Sequence, residues 1–177
     1  MLFRSTVPVR VLAGGASASR VRTVKVRAGI ATAERKLTIA WLPERRRMMW
    51  VRLQHPDGFT LCVANLHASA HRPARAAQEL ERAADAALAW SGEAPLILGG
   101  DFNVRPAEQP WIFERLAAQG FSGPTGPKLI DHLLARGLRV VEAPHQLPAE
   151  RREVAAGGAR RVRLSDHAVV VAAFDVE

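Results

Sequence analysis

Short apolar runs bounded by turn-forming residues recur along the chain and predict a sheet-forming protein. The runs are residues 20–29, 38–43, 48–54, 59–67, 96–98, 129–137, 139–143 and 168–174. In the first run valine alternates with basic residues, as in an edge strand, whereas the run 96–98 between Pro95 and Gly99 is typical of a buried central strand. The turn-forming sequence HPDGF predicts a hairpin that joins Trp50–Gln54 to Phe59–Leu66.

Two segments have the three- and four-residue apolar spacing of helices. The longer runs from Arg72 to Trp90, with a proline in its first turn and Ser91-Gly92 as its stop signal, and the shorter runs from Pro110 to Gly120. The inward-facing positions of the shorter helix are Ile112, Phe113 and Leu116. Strands separated by helices, with hairpins among them, predict a mixed α/β architecture in which helices cover a sheet. No repeat or linker divides the 177 residues, so we expect a single domain over 1–177.

Polar residues capable of catalysis follow the predicted strands at the points where the strands end. They are Asn65 and His67, Asp101 and Asn103, Asp131, and Asp166 with His167 just before the last strand. Each has an ordinary structural explanation when taken alone, such as a loop histidine or a turn carboxylate. Their repeated occurrence at strand ends favours a shared site.

The sequence LILGGDFNVRP illustrates the choice between the two explanations. In extended chain Asp101 and Asn103 point to the same face, so one metal ion or phosphate could meet both. The alternative is an Asx turn, in which these side chains bind their own backbone after the two glycines.

Composition limits the kinds of binding partner and the cellular compartment that we expect. The net charge of +8, with arginine clusters at 44–52, 150–153 and 159–163, fits a polyanion such as nucleic acid, although a solvated basic surface explains it equally well. The single Cys62 cannot form an internal disulfide and is expected in the core. No apolar stretch is long enough to span a bilayer, and Arg10 interrupts the apolar start, so we expect a cytoplasmic protein without a signal peptide.

The ordered motifs Asn-Leu-His, Gly-Asp-Phe-Asn, Ile-Asp-His and Ser-Asp-His resemble those of the endonuclease/exonuclease/phosphatase superfamily, whose familiar members are deoxyribonuclease I-like. The resemblance runs from about Val51 to Phe174. It implies a four-layer α/β/β/α sandwich of mixed sheets flanked by helices. It also implies hydrolysis of a phosphate ester with Mg²⁺ or Mn²⁺.

The same resemblance implies roles for the site residues. His167, oriented by Asp131, would accept the proton of the attacking water or bind the phosphate. The implied catalytic set is His67, Asp101, Asn103, Asp131 and His167; the phosphate-binding set is Asn65 and Asn103; the metal set is Asp101, Asn103 and Asp166. Oxygen ligands of this kind are those that a hard divalent ion prefers.

One departure bears on activity. Members of the superfamily carry, upstream of these motifs, an asparagine at a strand end and a Gln-Glu pair that supplies the principal metal ligand, and neither is present here. Glu34 and Glu44 lie among basic residues and are not assigned that role. We therefore expect a domain incomplete at its N-terminus that holds Mg²⁺ weakly.

Three functions follow from the sequence. The first is a metal-dependent phosphoesterase acting on phosphodiester bonds, either a nuclease or a phosphodiesterase. The second is a non-catalytic polyanion-binding module, and the third is a fragment of a longer enzyme. Substrate identity and oligomeric state are open, because one fold serves many substrates.

Overall fold

The structure is a computed structural model that describes residues 9–13, 30–40, 46–54, 58–158 and 160–175, the first two ranges by their backbone only. The strands are β1 (Val9–Ala13), β2 (Ile30–Ala40), β3 (Arg46–Gln54), β4 (Thr60–His67), β5 (Leu96–Asp101), β6 (Asp131–Arg136), β7 (Arg139–Gln146), β8 (Glu153–Ala155), β9 (Arg161–Arg163) and β10 (Val170–Asp175). The helices are α1 (Pro73–Ser91) and α2 (Pro110–Ala118), and a 3₁₀ turn spans Ala149–Arg152.

Within the described residues, the larger sheet has five strands in the order β2-β3-β4-β5-β6. Strands β4 and β5 are parallel and are connected by α1, whereas the other neighbours are antiparallel, which makes the sheet mixed. The predicted pairing of the β3 and β4 segments is confirmed, although residues 55–57 of the connecting turn lie outside the described residues.

The smaller sheet has the order β1-β10-β7 and is antiparallel throughout. It packs on the larger sheet through an apolar layer. This layer joins Val170, Ala172 and Phe174 of β10 to side chains of β4, β5 and β6 such as Val63 and Ile97. Alternate residues of one strand point to opposite faces, so the inner face of each strand is apolar at every second position.

A second apolar core lies on the other face of the larger sheet, beneath α1 and α2. Leu80 and Leu116 from the helices pack there with Leu66, Leu98 and Phe102 of the sheet side. Cys62 is buried in this core, as expected, and burial raises the pKa of its thiol. The described residues thus supply one helical layer and two packed sheets, the larger mixed and the smaller antiparallel, and the predicted α/β fold is confirmed.

Both predicted helices form close to their expected bounds. Pro73 occupies the first turn of α1, and Gly92, with φ of 59°, donates its N–H to the Leu88 carbonyl at 3.1 Å and ends the helix. Ile112, Phe113 and Leu116 of α2 are buried as predicted. Neither helix is long and apolar enough to cross a bilayer.

Two parts of the sequence prediction differ from the structure or fall outside it. The predicted strand at 20–29 lies outside the described residues. The one expected at 38–43 is described only to Ala40, where it forms the last part of the longer β2. The short hairpin of β8 and β9 was not predicted, because its arginines interrupt the apolar pattern.

Candidate active site

Strand register brings three of the predicted site residues into one row. His67 of β4 is the register partner of Asp101 on β5, and Asp101 is in turn the partner of Asp131 on β6. The three side chains therefore stand side by side across three neighbouring strands, at the edge where β4 and β5 end and β6 begins.

The same alternation that builds the cores decides which way this row faces. Leu61, Val63 and His67 alternate along β4, and the first two belong to the layer between the sheets. On β5, Ile97 belongs to the same layer, and Asp101 lies on the same face of the strand four residues later. The row of His67, Asp101 and Asp131 therefore lies on the face of the larger sheet that packs against the smaller sheet. It lies beyond the end of the apolar layer, beside the loop that leads into β10.

Two glycines allow the strands to approach each other below the row. A Cβ at Gly99 would lie 2.6 Å from Leu133 Cδ2, and a Cβ at Gly100 would lie 2.0 Å from the Leu66 carbonyl oxygen. Gly100 also has φ of +136°, a conformation that other residues rarely adopt. The glycine pair before Asp101 is therefore a requirement of close packing between β4, β5 and β6.

Asp101 and Asn103 form the Asx turn, which is one of the two alternatives that the sequence left open. Asp101 Oδ1 accepts the Asn103 backbone N–H at 3.0 Å, which is the Asx turn. Asn103 has φ of 52°, so the Asp-Phe-Asn segment is not extended as the sequence prediction assumed. The Asn103 side-chain amide instead donates to the Ala68 carbonyl at 3.1 Å and ties the loop after β5 to the loop after β4.

The second oxygen of Asp101 faces two imidazole rings. Asp101 Oδ2 lies 3.5 Å from His67 Nε2 and 3.7 Å from His167 Nε2. His67 is half exposed, whereas the Asp101 side chain is only 9% exposed. A carboxylate oxygen that lies between two ring nitrogens can share a proton with either ring or bind a cation beside them.

His167 comes from the loop before β10 and reaches across to the row. Its Nδ1 lies 2.9 and 3.1 Å from the two oxygens of Asp131, which fixes Nδ1 as the protonated nitrogen and leaves Nε2 directed at Asp101. Burial lowers the pKa of His167, but the hydrogen bond to Asp131 and the charges of Asp131, Asp101 and Asp166 outweigh it, so the pKa lies above its ordinary value.

The neighbouring His132 plays a different part, although it adjoins Asp131 in sequence. It points to the helical side of the sheet and is fully buried. Its Nδ1 accepts the Thr125 backbone N–H and its Nε2 donates to the Val104 carbonyl, each at 3.2 Å. Burial lowers its pKa to about 4. His132 is thus a neutral core residue with both nitrogens hydrogen-bonded.

One oxygen or nitrogen from each of Asp101, Asp131 and His167 lies within 4.8 Å of the others, a grouping that fits a metal ion. Carboxylate oxygens suit Mg²⁺ and Mn²⁺. The two carboxylates and the imidazole therefore supply donor types, at a mutual spacing, that fit a divalent ion.

Four predicted residues stand outside this grouping of three: His67 and Asn103, whose contacts are given above, and Asn65 and Asp166. Asn65 lies on β4 one row below His67, opposite Gly99, and is exposed. Asp166 is also exposed and is not part of the Asp101, Asp131 and His167 grouping; its backbone carbonyl accepts a hydrogen bond from Arg152 Nη1 at 2.8 Å.

A buried residue that sequence reasoning missed supports the site. Glu79 of α1 is fully buried, and its carboxylate accepts the Ser69 backbone N–H at 2.7 Å, the Ser69 hydroxyl at 2.8 Å and Arg75 Nε at 3.0 Å. Ser69 lies two residues after His67, so Glu79 anchors the loop that carries this histidine. The available signal was an acidic residue between Ala76 and Leu80 on the apolar side of α1.

Solved structures share this fold at low sequence identity. An endonuclease/exonuclease/phosphatase family protein from Bacteroides thetaiotaomicron is 15% identical, with a TM-score of 0.67 over 85% of this chain and 67% of that one. A mannosyl-6-phosphatase from the same organism is 16% identical, with a TM-score of 0.64 over 83% of this chain and 67% of that one. Truncated Caenorhabditis elegans TDP2 is 15% identical, with a TM-score of 0.60 over 85% of this chain and 68% of that one.

The sequence itself gives the family assignment. No curated protein matches the chain. The family model described as Endonuclease/Exonuclease/phosphatase family matches residues 16–167, which include every site residue described above. The match covers most of the chain and ends at His167, the last residue of the Ser-Asp-His motif. This chain therefore belongs to the endonuclease/exonuclease/phosphatase family.

Proposed function

We propose that the chain is a divalent-metal-dependent phosphoesterase that hydrolyses phosphodiester bonds. The observation that supports this most directly is the Asp131–His167–Asp101 arrangement, in which one carboxylate holds the ring and the other faces its free nitrogen. Membership of the family and the fold of the phosphatase and TDP2 structures favour the same class of reaction.

His167 and Asp131 form the proton-handling pair of this proposal. With Nδ1–H held by Asp131, neutral His167 presents the Nε2 lone pair and accepts a proton from an attacking water. Protonated His167, which the raised pKa favours, binds a phosphate oxygen or returns the proton to the leaving group. Asp131 is buried, so its charge acts on the ring with little screening by solvent.

Asp101, His67 and the two asparagines complete the proposed site. Asp101 Oδ2 would hold Mg²⁺ or Mn²⁺, with Asn103 and Asp166 as further oxygen ligands on the adjoining loops. A bound divalent ion would neutralise the charge that develops on the phosphoryl oxygens. His67, which is half exposed and lies 3.5 Å from Asp101, would contact the phosphate or assist the leaving group. Asn65, two residues earlier on β4, would support the position of His67.

Hydrolysis of bis-p-nitrophenyl phosphate in Mg²⁺, in Mn²⁺ and in EDTA tests the proposal, with p-nitrophenyl phosphate as the monoester comparison. We expect metal-dependent turnover of the diester and a loss of about 10²-fold or more in Asp101→Asn and in His167→Ala. Asp85→Asn is the control, since Asp85 is an exposed carboxylate of α1 that pairs with Arg115.

Three results would contradict parts of the proposal. Turnover that survives both Asp101→Asn and His167→Ala would refute the site. No turnover from a sample with a cooperative unfolding transition would favour a non-catalytic polyanion-binding module. Faster turnover of the monoester would move the substrate class toward that of the phosphatase structure.

A further inference from the structure

The hairpin next to the active site is unusually basic and exposed. The described residues of 149–164, which we name the arginine arm, comprise the 3₁₀ turn, β8 and β9. Within 149–164 the sequence has five arginines and two glutamates and no aromatic residue. In the described chain, β8 and β9 pair only with each other, so the arm extends from both sheets.

The arm is hydrogen-bonded to the loop between β9 and β10, which carries His167. Arg152 Nη1 donates to the Asp166 carbonyl at 2.8 Å, and the Leu164 N–H donates to the Arg152 carbonyl at 2.8 Å. Asp166 precedes His167 and Leu164 lies three residues before it. A polymer whose phosphate occupies the site at His167 would therefore extend past the base of the arm.

One face of the hairpin presents its cations in a regular order. Arg161 and Arg163 lie on the same face of β9, about 7 Å apart by strand geometry. Both side chains are more than half exposed, at 56% and 57%. Glu153, the register partner of Arg163 on β8, pairs with Arg161 Nε at 3.1 Å and lies 3.9 Å from Arg163 Nη2, so one carboxylate is shared by two guanidinium groups.

The other face of the hairpin is apolar but small. Val154 and Val162 are register partners there and are 44% and 36% exposed, and Leu164 is 64% exposed. Amphipathic helices that bind the membrane interface carry tryptophan, phenylalanine or leucine on their apolar face, and we apply the same criterion to this hairpin. Three aliphatic residues without an aromatic one favour a polyanionic chain over a membrane surface.

We propose that the arginine arm binds the phosphate backbone of a nucleic acid whose neighbouring phosphodiester occupies the active site. This rests on the proposed function and narrows its substrate class from phosphodiesters in general to a polymer with consecutive phosphates. Guanidinium groups match phosphate oxygens in a bidentate manner, and two of them at strand spacing meet successive phosphates. Contacts of this kind position the chain without reading its sequence.

Binding of a fluorescein-labelled duplex, measured by anisotropy in EDTA between about 50 and 200 mM salt, tests the arm independently of cleavage. We expect Arg161→Ala/Arg163→Ala to weaken binding about tenfold or more and to reduce the slope of log K against log salt by about 1.8, since each phosphate contact contributes about 0.9. Glu153→Gln should bind more tightly than wild type, because it removes the carboxylate that competes for these arginines.

The control variant Arg82→Ala/Arg115→Ala removes the same charge from the helical layer, at two exposed positions of α1 and α2. It should keep most of the affinity and the wild-type slope. Bis-p-nitrophenyl phosphate turnover should be equal in the arm variant and in wild type, because this small diester does not reach the arm. Absence of turnover in every sample would refute the hydrolase proposal alone, since binding is measured in EDTA.

Three results would overturn the arm proposal. Wild type that does not bind the duplex, an arm variant with unchanged affinity and slope, or a control that loses as much as the arm variant would each exclude a specific role for the arm. Co-sedimentation with phosphatidylglycerol vesicles tests the remaining alternative, which is that the arm binds a lipid surface. Vesicle binding that depends on Val154 and Leu164, with duplex binding unaffected by the arm arginines, would assign the arm to a lipid surface.

Discussion

Glu79→Ala is the change from which we expect the largest loss of stability at a polar position near the site. The substitution leaves the Ser69 N–H, the Ser69 hydroxyl and Arg75 Nε without their shared acceptor; Glu79 and Ser69 are buried, and the Arg75 side chain is 27% exposed. Hydrogen bonds to a charged group contribute about 1.5–3 kcal/mol each but are not additive. Removing one partner of a buried ionic contact costs about 3–5 kcal/mol in total, and that is the expected fall in unfolding free energy.

The matched control lies two residues along the same helix. Glu81 pairs with Arg115 at 3.1 Å, but both side chains are substantially exposed to solvent. Surface ion pairs contribute about 0–1 kcal/mol, so Glu81→Ala should change stability little. Ser69→Ala removes the hydroxyl and keeps the backbone contact, and we expect an intermediate loss of about 1–2 kcal/mol.

Urea unfolding and thermal melts followed by circular dichroism measure these differences. For a domain of this size the Glu79→Ala loss corresponds to a fall in Tm of roughly 6–20 °C. Because the anchored loop carries His67, diester turnover should also fall in Glu79→Ala at temperatures where the variant is folded. Equal stabilities of Glu79→Ala and Glu81→Ala would refute the reasoning, since buried and exposed carboxylates would then be equivalent.

Three further predictions concern the core and the site. The pKa of His132 is depressed from 6.5 to about 4 in the folded protein, so its contribution to stability is present above pH 6.5 and falls by about 3 kcal/mol as the pH drops to 4. The urea midpoint of wild type should therefore fall between pH 6.5 and 4, and the midpoint of His132→Leu should fall less over the same range. Gly100→Ala should prevent folding or lower Tm strongly, whereas Gly123→Ala, where the added Cβ meets nothing within 4 Å, should melt like wild type. Asp131→Asn should reduce kcat by about 10²–10⁴-fold with little change in KM, because His167 loses the carboxylate that fixes its tautomer; an unchanged kcat would exclude that role.

Local patterns in the sequence determined most elements and the identity of the site residues. The spacing of Ala76, Leu80 and Ala83 predicted α1 because a helix repeats every 3.6 residues, and Pro73 and Gly92 set its ends. The residues of the central row, His67, Asp101 and Asp131, could be read from their places after or within apolar runs. These signals are local, so they do not depend on which strands pair.

Only the tertiary structure decided how the site is assembled. That His67, Asp101 and Asp131 share one row follows from register between strands far apart in sequence, and register is fixed by packing of the whole sheet. The hydrogen bond from the Asn103 side-chain amide to the Ala68 carbonyl likewise joins two loops that lie 35 residues apart in sequence. Neither relation leaves a periodic trace in the sequence.

The roles of charged residues show the same division. Asp131 and His132 are adjacent polar residues in the sequence. Because side chains alternate along a strand, Asp131 faces His167 in the site and His132 faces the core beneath the helices. Glu79 reads as one more helix carboxylate until the loop after β4 folds onto it. The sequence by itself determined which chemical groups the chain possesses and which local element carries each. Their burial and partners were decided by the packing of two sheets and a helical layer, because solvent exclusion and proximity are properties of the assembled fold.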